Sequence, residues 1–351
     1  MNPRRCARLA LLATLAGLFA VVLAACSSAA DVAHVSSSTA ATTTTSTLSS
    51  TSPTTTTLPI ALPGTSILRV RVAALPPGAI VPPALSPASA AWLKTVQIAY
   101  SRFGSGPDLV LIEGQDASLS WWDPTLLSAL SGHYRVTIFD LPGAGYSGAA
   151  TAPLSLGYLA DMTAGFASAV GLSHPVVLGW GLGGEVALSL AERHPGFASS
   201  LVLVDTSGGG TGAHRPYSGA VRLLATPGAT PVALSRLLFP PTGAGMKERV
   251  VWQKSLYAGT TDWLTATTIN AEARLQAAVW RRSPLTEGLS HLKTRALVVS
   301  GTDDVLFAPQ DASLLADELP HATLVRFAHA GYGAITQDEQ AFVSALEKFT
   351  G

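Results

Sequence analysis

The chain reads as an α/β protein: a mostly parallel, doubly wound sheet with a helical cap inserted before the last two strands. Three observations predict this. Short apolar runs alternate with helix-period segments from about residue 95 to residue 349. The run Val176–Leu178 leads straight into Gly179-Trp180-Gly181-Leu182-Gly183-Gly184 and then a helical pattern. About 90 residues of Gly-rich and helix-like sequence separate the strand Leu201–Val204 from the strand Ala296–Val299.

In chain order, Thr95–Tyr100 alternates as a strand, Gly104-Ser105-Gly106-Pro107 turns, and Leu109–Ile112 is wholly apolar, as a strand buried on both faces must be. Trp121–Leu130 reads as a helix, Tyr134–Phe139 as a strand, and Leu156–Val170 as a helix. The helix after Gly181 places Leu182, Val186, Ala187 and Leu190 on one face and stops before Pro195. Leu324–Phe327 is the last strand. The terminal helix gathers Ala341, Phe342, Ala345, Leu346 and Phe349 on one side. His194, before Pro195, is expected to cap a helix C-terminus.

The N-terminus has a different character. Arg4, Arg5 and Arg8 precede an uncharged run, Leu9–Ala25, which suits a secretory h-region and is short for a membrane span. It ends in Leu23-Ala24-Ala25-Cys26, which resembles a bacterial lipobox with Cys26 as the lipidated residue. The expectation is export to a bacterial cell envelope, with residues 1–25 as signal peptide and a lipid anchor at the membrane surface. From Ser36 to Thr57, 18 of 22 residues are Ser or Thr. Such a stretch cannot bury enough apolar surface to offset its ordering entropy, so 26–66 is read as a disordered stalk. Residues 67–91 form a Pro-rich connector containing a candidate edge strand at Ile67–Val72. The folded domain is expected over 92–351, with the cap at about 207–291.

Composition excludes several classes. Lys+Arg and Asp+Glu are equal at 22 each, which argues against a nucleic-acid-binding stripe. Hydrophobic residues at 48% rule out a mostly disordered chain. The two cysteines lie within the first 26 residues, and no His/Cys/Asp cluster has metal spacing, so neither metal nor cofactor is expected.

Six ordered segments carry a more specific signal: Ile98–Gly106, Leu111–Gln115, Asp140-Leu-Pro-Gly-Ala-Gly-Tyr-Ser147, Leu178–Gly184, Gly301-Thr-Asp-Asp304 and Ala328-His-Ala330. Together they resemble the α/β-hydrolase-fold superfamily over about residues 94–351. That family carries Gly-x-Ser-x-Gly at a strand–turn–helix elbow, with an acid and then a His following in the chain. Here the frame is Gly179-Trp180-Gly181-Leu182-Gly183, so the nucleophile position is Gly181, which has no side chain to supply an oxygen. By resemblance, Asp304 falls at the acid position, with Asp303 beside it, and His329 at the base position. The backbone N–H groups of Leu182 and Gln115 would form the oxyanion hole. Glu113 stands where the family often has His; it either faces the hole, where its charge would oppose an oxyanion, or turns away to bond backbone. Asp205, at a strand end, reads as a loop carboxylate or an alternative acid. Among the aromatic residues of cap and sheet, Trp180 and Trp122 are expected to reach a ligand pocket.

Two functions follow. One is a catalytically degenerate binder of a small apolar carbonyl or carboxylate compound under the cap. The other is a hydrolase or lyase-type enzyme in which His329, oriented by Asp304, acts as general base without an acyl-enzyme. A structural envelope protein is a third reading that no residue selects for.

Overall fold

The computed structural model describes residues 68–74, 77, 95–210, 212–227, 229, 231–257, 266–281 and 288–351. The segments read as signal peptide and Ser/Thr stalk, with Cys26 between them, lie outside the described residues. Among the described residues, no helix is long and apolar enough to cross a membrane.

Eight strands form one sheet: β1 Leu68–Val72, β2 Val96–Phe103, β3 Asp108–Ile112, β4 Arg135–Phe139, β5 Val176–Trp180, β6 Ser200–Val204, β7 Ala296–Gly301 and β8 Ala322–Phe327, in the order β1-β2-β4-β3-β5-β6-β7-β8. β1 pairs antiparallel with β2, and β2 antiparallel with β4. From β4 across to β8 every pairing is parallel. The expected mostly parallel sheet is thus present. Its first strand lies in the segment assigned to the connector, so the domain starts before residue 92. Arg69 and Arg71 alternate with apolar residues on β1, which suits an edge strand, and Val72 reaches the core at 2% exposure.

Helices cover both faces because the strands are apolar on both. Leu109 and Leu111 of β3 face one core cluster, Val110 and Ile112 the other. The first cluster takes in α1 (Pro124–Ser131) and α10 (Glu339–Thr350). The second takes in α2 (Leu156–Ala169), α3 (Leu182–Arg193) and α8 (Pro309–Glu318). Local chemistry sets the helix starts. Asp123 accepts from the Thr125 N–H at 2.8 Å ahead of Pro124, so α1 begins there and not at Trp121. Ser155 does the same for α2 through the Tyr158 N–H.

Between β6 and β7 lie the cap helices α4 (Ser218–Leu224), α5 (Pro231–Leu238), α6 (Gly243–Tyr257) and α7 (Ala266–Arg281). A short α9 (Ala334–Gln337) follows β8. The chain leaves β3 to one side for β4 and returns on the other side for β5. The loops after β3 and β5 therefore meet at the switch point, where α/β sheets place their sites.

Candidate functional site

Gly181 follows β5 directly and caps α3 with φ 54° and ψ −117°, a conformation glycine adopts readily and other residues only under strain. It is pinned on both sides. Its N–H donates to the Val204 carbonyl at 2.9 Å, and its carbonyl accepts from the Thr206 hydroxyl at 2.7 Å. The tight elbow expected of this frame is therefore built, with glycine at its apex. Leu182 is the first residue of α3, so its N–H has no intrahelical acceptor.

The space beside Gly181 is filled by Tyr332. A Cβ placed on Gly181 would overlap the Tyr332 hydroxyl and stand 2.9 Å from its Cζ. A Cβ on Gly114 would stand 2.7 Å from the same hydroxyl. The phenol tip thus lies between the two backbones that would form an oxyanion hole. Its ring is 2% exposed, stacked on Trp180 with centroids 4.7 Å apart and on Phe307 at 5.8 Å. The Trp180 indole N–H donates to the Tyr332 carbonyl at 2.8 Å, fixing the loop that carries it. Burial, then the charges of Asp304, Asp205, Glu185 and Asp116, push the Tyr332 hydroxyl well above its ordinary pKa, so it stays protonated.

His329 is not in this group. Its side chain is 85% exposed, and its Nδ1 lies 3.9 Å from Asp303, not beside Asp304. The residue has φ 60°, and its N–H is held by the Thr302 hydroxyl at 2.8 Å. The backbone turns there, throwing His329 outward and bringing Tyr332 inward three residues later. His329 is therefore not oriented by Asp304, and the alternative mechanism through His329 loses its geometry. The sequence reading took the first His after β8 and passed over Gly331-Tyr332-Gly333. The available signal was a bulky aromatic between two glycines, opposite a glycine at the elbow.

Asp304 is buried beneath Tyr332. Its Oδ1 accepts from the Leu306 and Phe307 N–H groups at 2.7 and 3.1 Å, while Oδ2 has no hydrogen-bond partner among the described residues. Burial first, then the charge of Asp205, hold its carboxyl well above the usual range. Asp205 joins β7 to α9 through the Gly301 N–H at 2.9 Å and the Ala334 N–H at 3.2 Å, and burial pushes it to about 7. Both of its oxygens are thereby held by backbone N–H groups, as a loop carboxylate would have them, and its charge also acts on Asp304 and Tyr332.

Glu113 takes the second of its two orientations: its Oε1 accepts from the Leu141 N–H at 2.7 Å. Trp122 packs on Trp180 with centroids 6.0 Å apart, and Trp280 of α7 packs on Phe307 at 5.8 Å. Five rings, Trp122–Trp180–Tyr332–Phe307–Trp280, therefore run from the sheet to the cap. They pack with one another through the centre of the site, and Trp263 lies outside the described residues. Beyond Gln115, which is buried, Asp116 has φ 59° and gives its N–H to Glu272 of α7 at 2.8 Å. Among the described residues, no group of three or more His, Cys, Asp or Glu could hold a metal ion.

Comparison with known proteins agrees with this architecture. The family described as alpha/beta hydrolase fold matches residues 107–335. A pimeloyl-(acyl-carrier protein) methyl ester esterase of Nitrosomonas europaea is 30% identical over 273 residues, covering 70% of this chain and 96% of that one. A Pantoea ananatis protein named for carbamate hydrolysis, RutD, is 28% identical over 246 residues, covering 67% and 84%. Among solved structures, an alpha/beta hydrolase fold protein from Chitinophaga pinensis superposes with a TM-score of 0.62 at 22% identity, over 73% of this chain and 94% of that one.

Proposed function

The chain belongs to the α/β-hydrolase-fold family, and on that premise we propose that it is an envelope-anchored member that binds a small, mainly apolar carbonyl compound under the cap without hydrolysing it through a serine. The observation that carries this reading is Tyr332. Its hydroxyl stands where a nucleophile on residue 181 would stand. Nucleophilic catalysis needs an oxygen and a base within hydrogen-bond reach, and this site offers a glycine and a phenol that keeps its proton.

A protonated phenol beside two helix- and loop-terminal N–H groups suits a neutral carbonyl oxygen. The buried carboxyls Asp116, Glu185 and Asp304 disfavour a carboxylate ligand, which narrows the class expected from sequence. The two relatives are named for acting on a methyl ester and a carbamate, both acyl carbonyl compounds. The lipobox at Cys26 and the Ser/Thr stalk support anchoring at the membrane surface.

Calorimetry of the full chain with benzylacetone, alongside para-nitrophenyl acetate release, tests the proposal. Heat of ketone binding and no ester turnover above buffer is the expected pair. Ester turnover that disappears in His329→Ala would overturn it. For the anchor, Cys26→Ser is expected to move the protein from the membrane fraction to the soluble fraction.

A further inference from the structure

The first half of the cap differs in charge from the rest of the chain. Between Ala213 and Tyr257 stand six basic residues, Arg215, Arg222, Arg236, Lys247, Arg249 and Lys254, and one acid, Glu248, in a chain that has 22 of each overall. Glu248 is turned toward α9, where its Oε2 accepts from the Gln337 amide at 2.7 Å. Arg222, Arg236, Lys247 and Lys254 are exposed, and none of them forms an ion pair among the described residues.

The same segment carries exposed apolar side chains. Of the seven large apolar side chains that stand exposed among the described residues, five are here: Tyr217, Val232, Met246, Val250 and Val251. Their placement follows from the way α5 and α6 pack. Buried Phe239, just after α5, meets buried Trp252 of α6 with ring centroids 5.9 Å apart, and the Gln253 amide donates to the Ser235 hydroxyl at 2.7 Å. Leu234, Leu237 and Leu238 are buried on the same inner side. The opposite side of each helix is left to solvent. On α6 it shows Met246, Lys247, Val250, Val251 and Lys254, which share one helix face across from Trp252. On α5 it shows Val232 and Arg236 at i and i+4. Singly exposed valines are ordinary on a protein surface. Two adjacent valines and a methionine on one face, with a lysine on either side, form a patch.

We propose that this outer face of α5 and α6 docks on an anionic lipid surface, with Val232, Met246, Val250 and Val251 entering the boundary between headgroups and acyl chains and Arg236, Lys247 and Lys254 meeting the lipid phosphates. Charge complementarity selects this occupant. A second copy of the chain, paired through the same face, would set these cations against their own kind. Apolar residues bordered by lysine and arginine mark helices that lie in the plane of a bilayer interface, where apolar burial and attraction to anionic headgroups add. The attraction is weak and screened by salt. It orients the domain and does not hold it at the membrane alone, which is why Cys26→Ser is still expected to release the protein. A lipid on Cys26 would raise the domain's effective concentration at the surface, so a weak contact suffices. The docking face goes beyond the carbonyl-binding reading and does not rest on it.

The test is hydrogen exchange of the full chain with vesicles of phosphatidylcholine, with and without phosphatidylglycerol, at low salt and at about 0.5 M salt. Exchange within 231–254 is expected to slow at least about threefold with phosphatidylglycerol at low salt, and to keep its free rate with phosphatidylcholine alone or at high salt. Lys247→Gln with Lys254→Gln should abolish the slowing, and Val250→Ser with Val251→Ser should reduce it by about half or more. Lys293→Gln with Lys348→Gln removes the same charge from the other end of the sheet, before β7 and late in α10, and should leave the slowing in place. All six positions are exposed, so Tm should stay within about 2 °C in each variant, which separates lost docking from lost folding. Every variant shares residues 1–66, so a difference between variants belongs to the cap. Exchange that phosphatidylglycerol leaves unchanged overturns the proposal. Equal loss of slowing in both lysine pairs overturns it too, leaving only net charge. Slowing that grows with protein concentration in the absence of vesicles also overturns it and points to a second copy of the chain.

Discussion

Gly181 and Tyr332 are complementary in volume, one lacking a side chain where the other inserts one. Gly181→Ser alone has to push the Tyr332 ring out of its stack with Trp180 and Phe307 and hold a Cβ at φ 54°. Strain and overpacking together should cost about 2–5 kcal/mol. In a domain of this size that is a fall in Tm of roughly 5–15 °C, measurable by calorimetric scanning. Shortening the neighbour should recover part of that loss, so Gly181→Ser with Tyr332→His is expected to be more stable than Gly181→Ser alone. Additive losses would show that the two residues do not interact. The glycine was legible because it interrupts a frame with fixed flanking residues. The tyrosine was not, because its position depends on a backbone turn at His329 that spacing alone does not reveal. His194 shows the opposite case. It caps α3 as expected, and burial adds a contact from its Nε2 to Asp161 at 3.0 Å that sequence could not supply.

At the scale of elements, the parallel strands were plain in the sequence because burial on both faces forces unbroken apolar runs. β1 gave a weaker signal: Arg69 and Arg71 alternating with apolar residues marked Ile67–Val72 as a candidate edge strand, but the Pro-rich residues around it placed it in a connector. Its attachment is nonetheless firm. Five residues pair with β2, and Gly165 of α2 lets the chain at Ala73 pass close by. A chain that begins at residue 92 should therefore expose the β2 edge and aggregate, whereas one beginning at 67 should stay monomeric in size-exclusion chromatography. The cap helices were placed only as a region. On α6, Met246, Val250 and Val251 are exposed while Trp252 is buried, so no clean stripe marks its inner face. On α7, Thr268, Glu272 and Gln276 form a polar stripe that bonds the Gly143 carbonyl, the Asp116 N–H and the Glu185 carboxyl. It was missed because sequence ties these residues to no partner until the loops are in place. Thr268→Val should cost about 1 kcal/mol and speed hydrogen exchange within 266–281 more than in the sheet.

The whole molecule carries several buried carboxyls whose pKa values are raised on folding, the reverse of the common surface case. The folded state then binds protons more tightly than the unfolded chain. Stability is greatest below the unfolded values near 4 and is lost as pH rises through about 7, where Glu272 and Asp205 ionise, and about 9, where Asp116 does. Urea unfolding should show stability falling between about pH 5 and pH 7, by about 1.4 kcal/mol per pH unit for each acid that stays protonated only in the folded state. Glu272→Gln should flatten that slope. An unchanged or rising stability over this range would show that the acids are charged or water-exposed in the folded protein. The fold itself was readable from six ordered segments, while the state of the site was not, because it turns on which of two neighbouring residues enters the pocket. The most direct test of that state is para-nitrophenyl acetate turnover by the unmodified chain, by Gly181→Ser, and by Gly181→Ser with Tyr332→His. The imidazole is shorter than the phenol by roughly 2 Å, which leaves space for a serine oxygen within hydrogen-bond reach of its nitrogen. Turnover by the double variant only is the result expected if Tyr332 occupies the nucleophile's place above an intact Asp304. Turnover by the unmodified chain, abolished in His329→Ala, would contradict it.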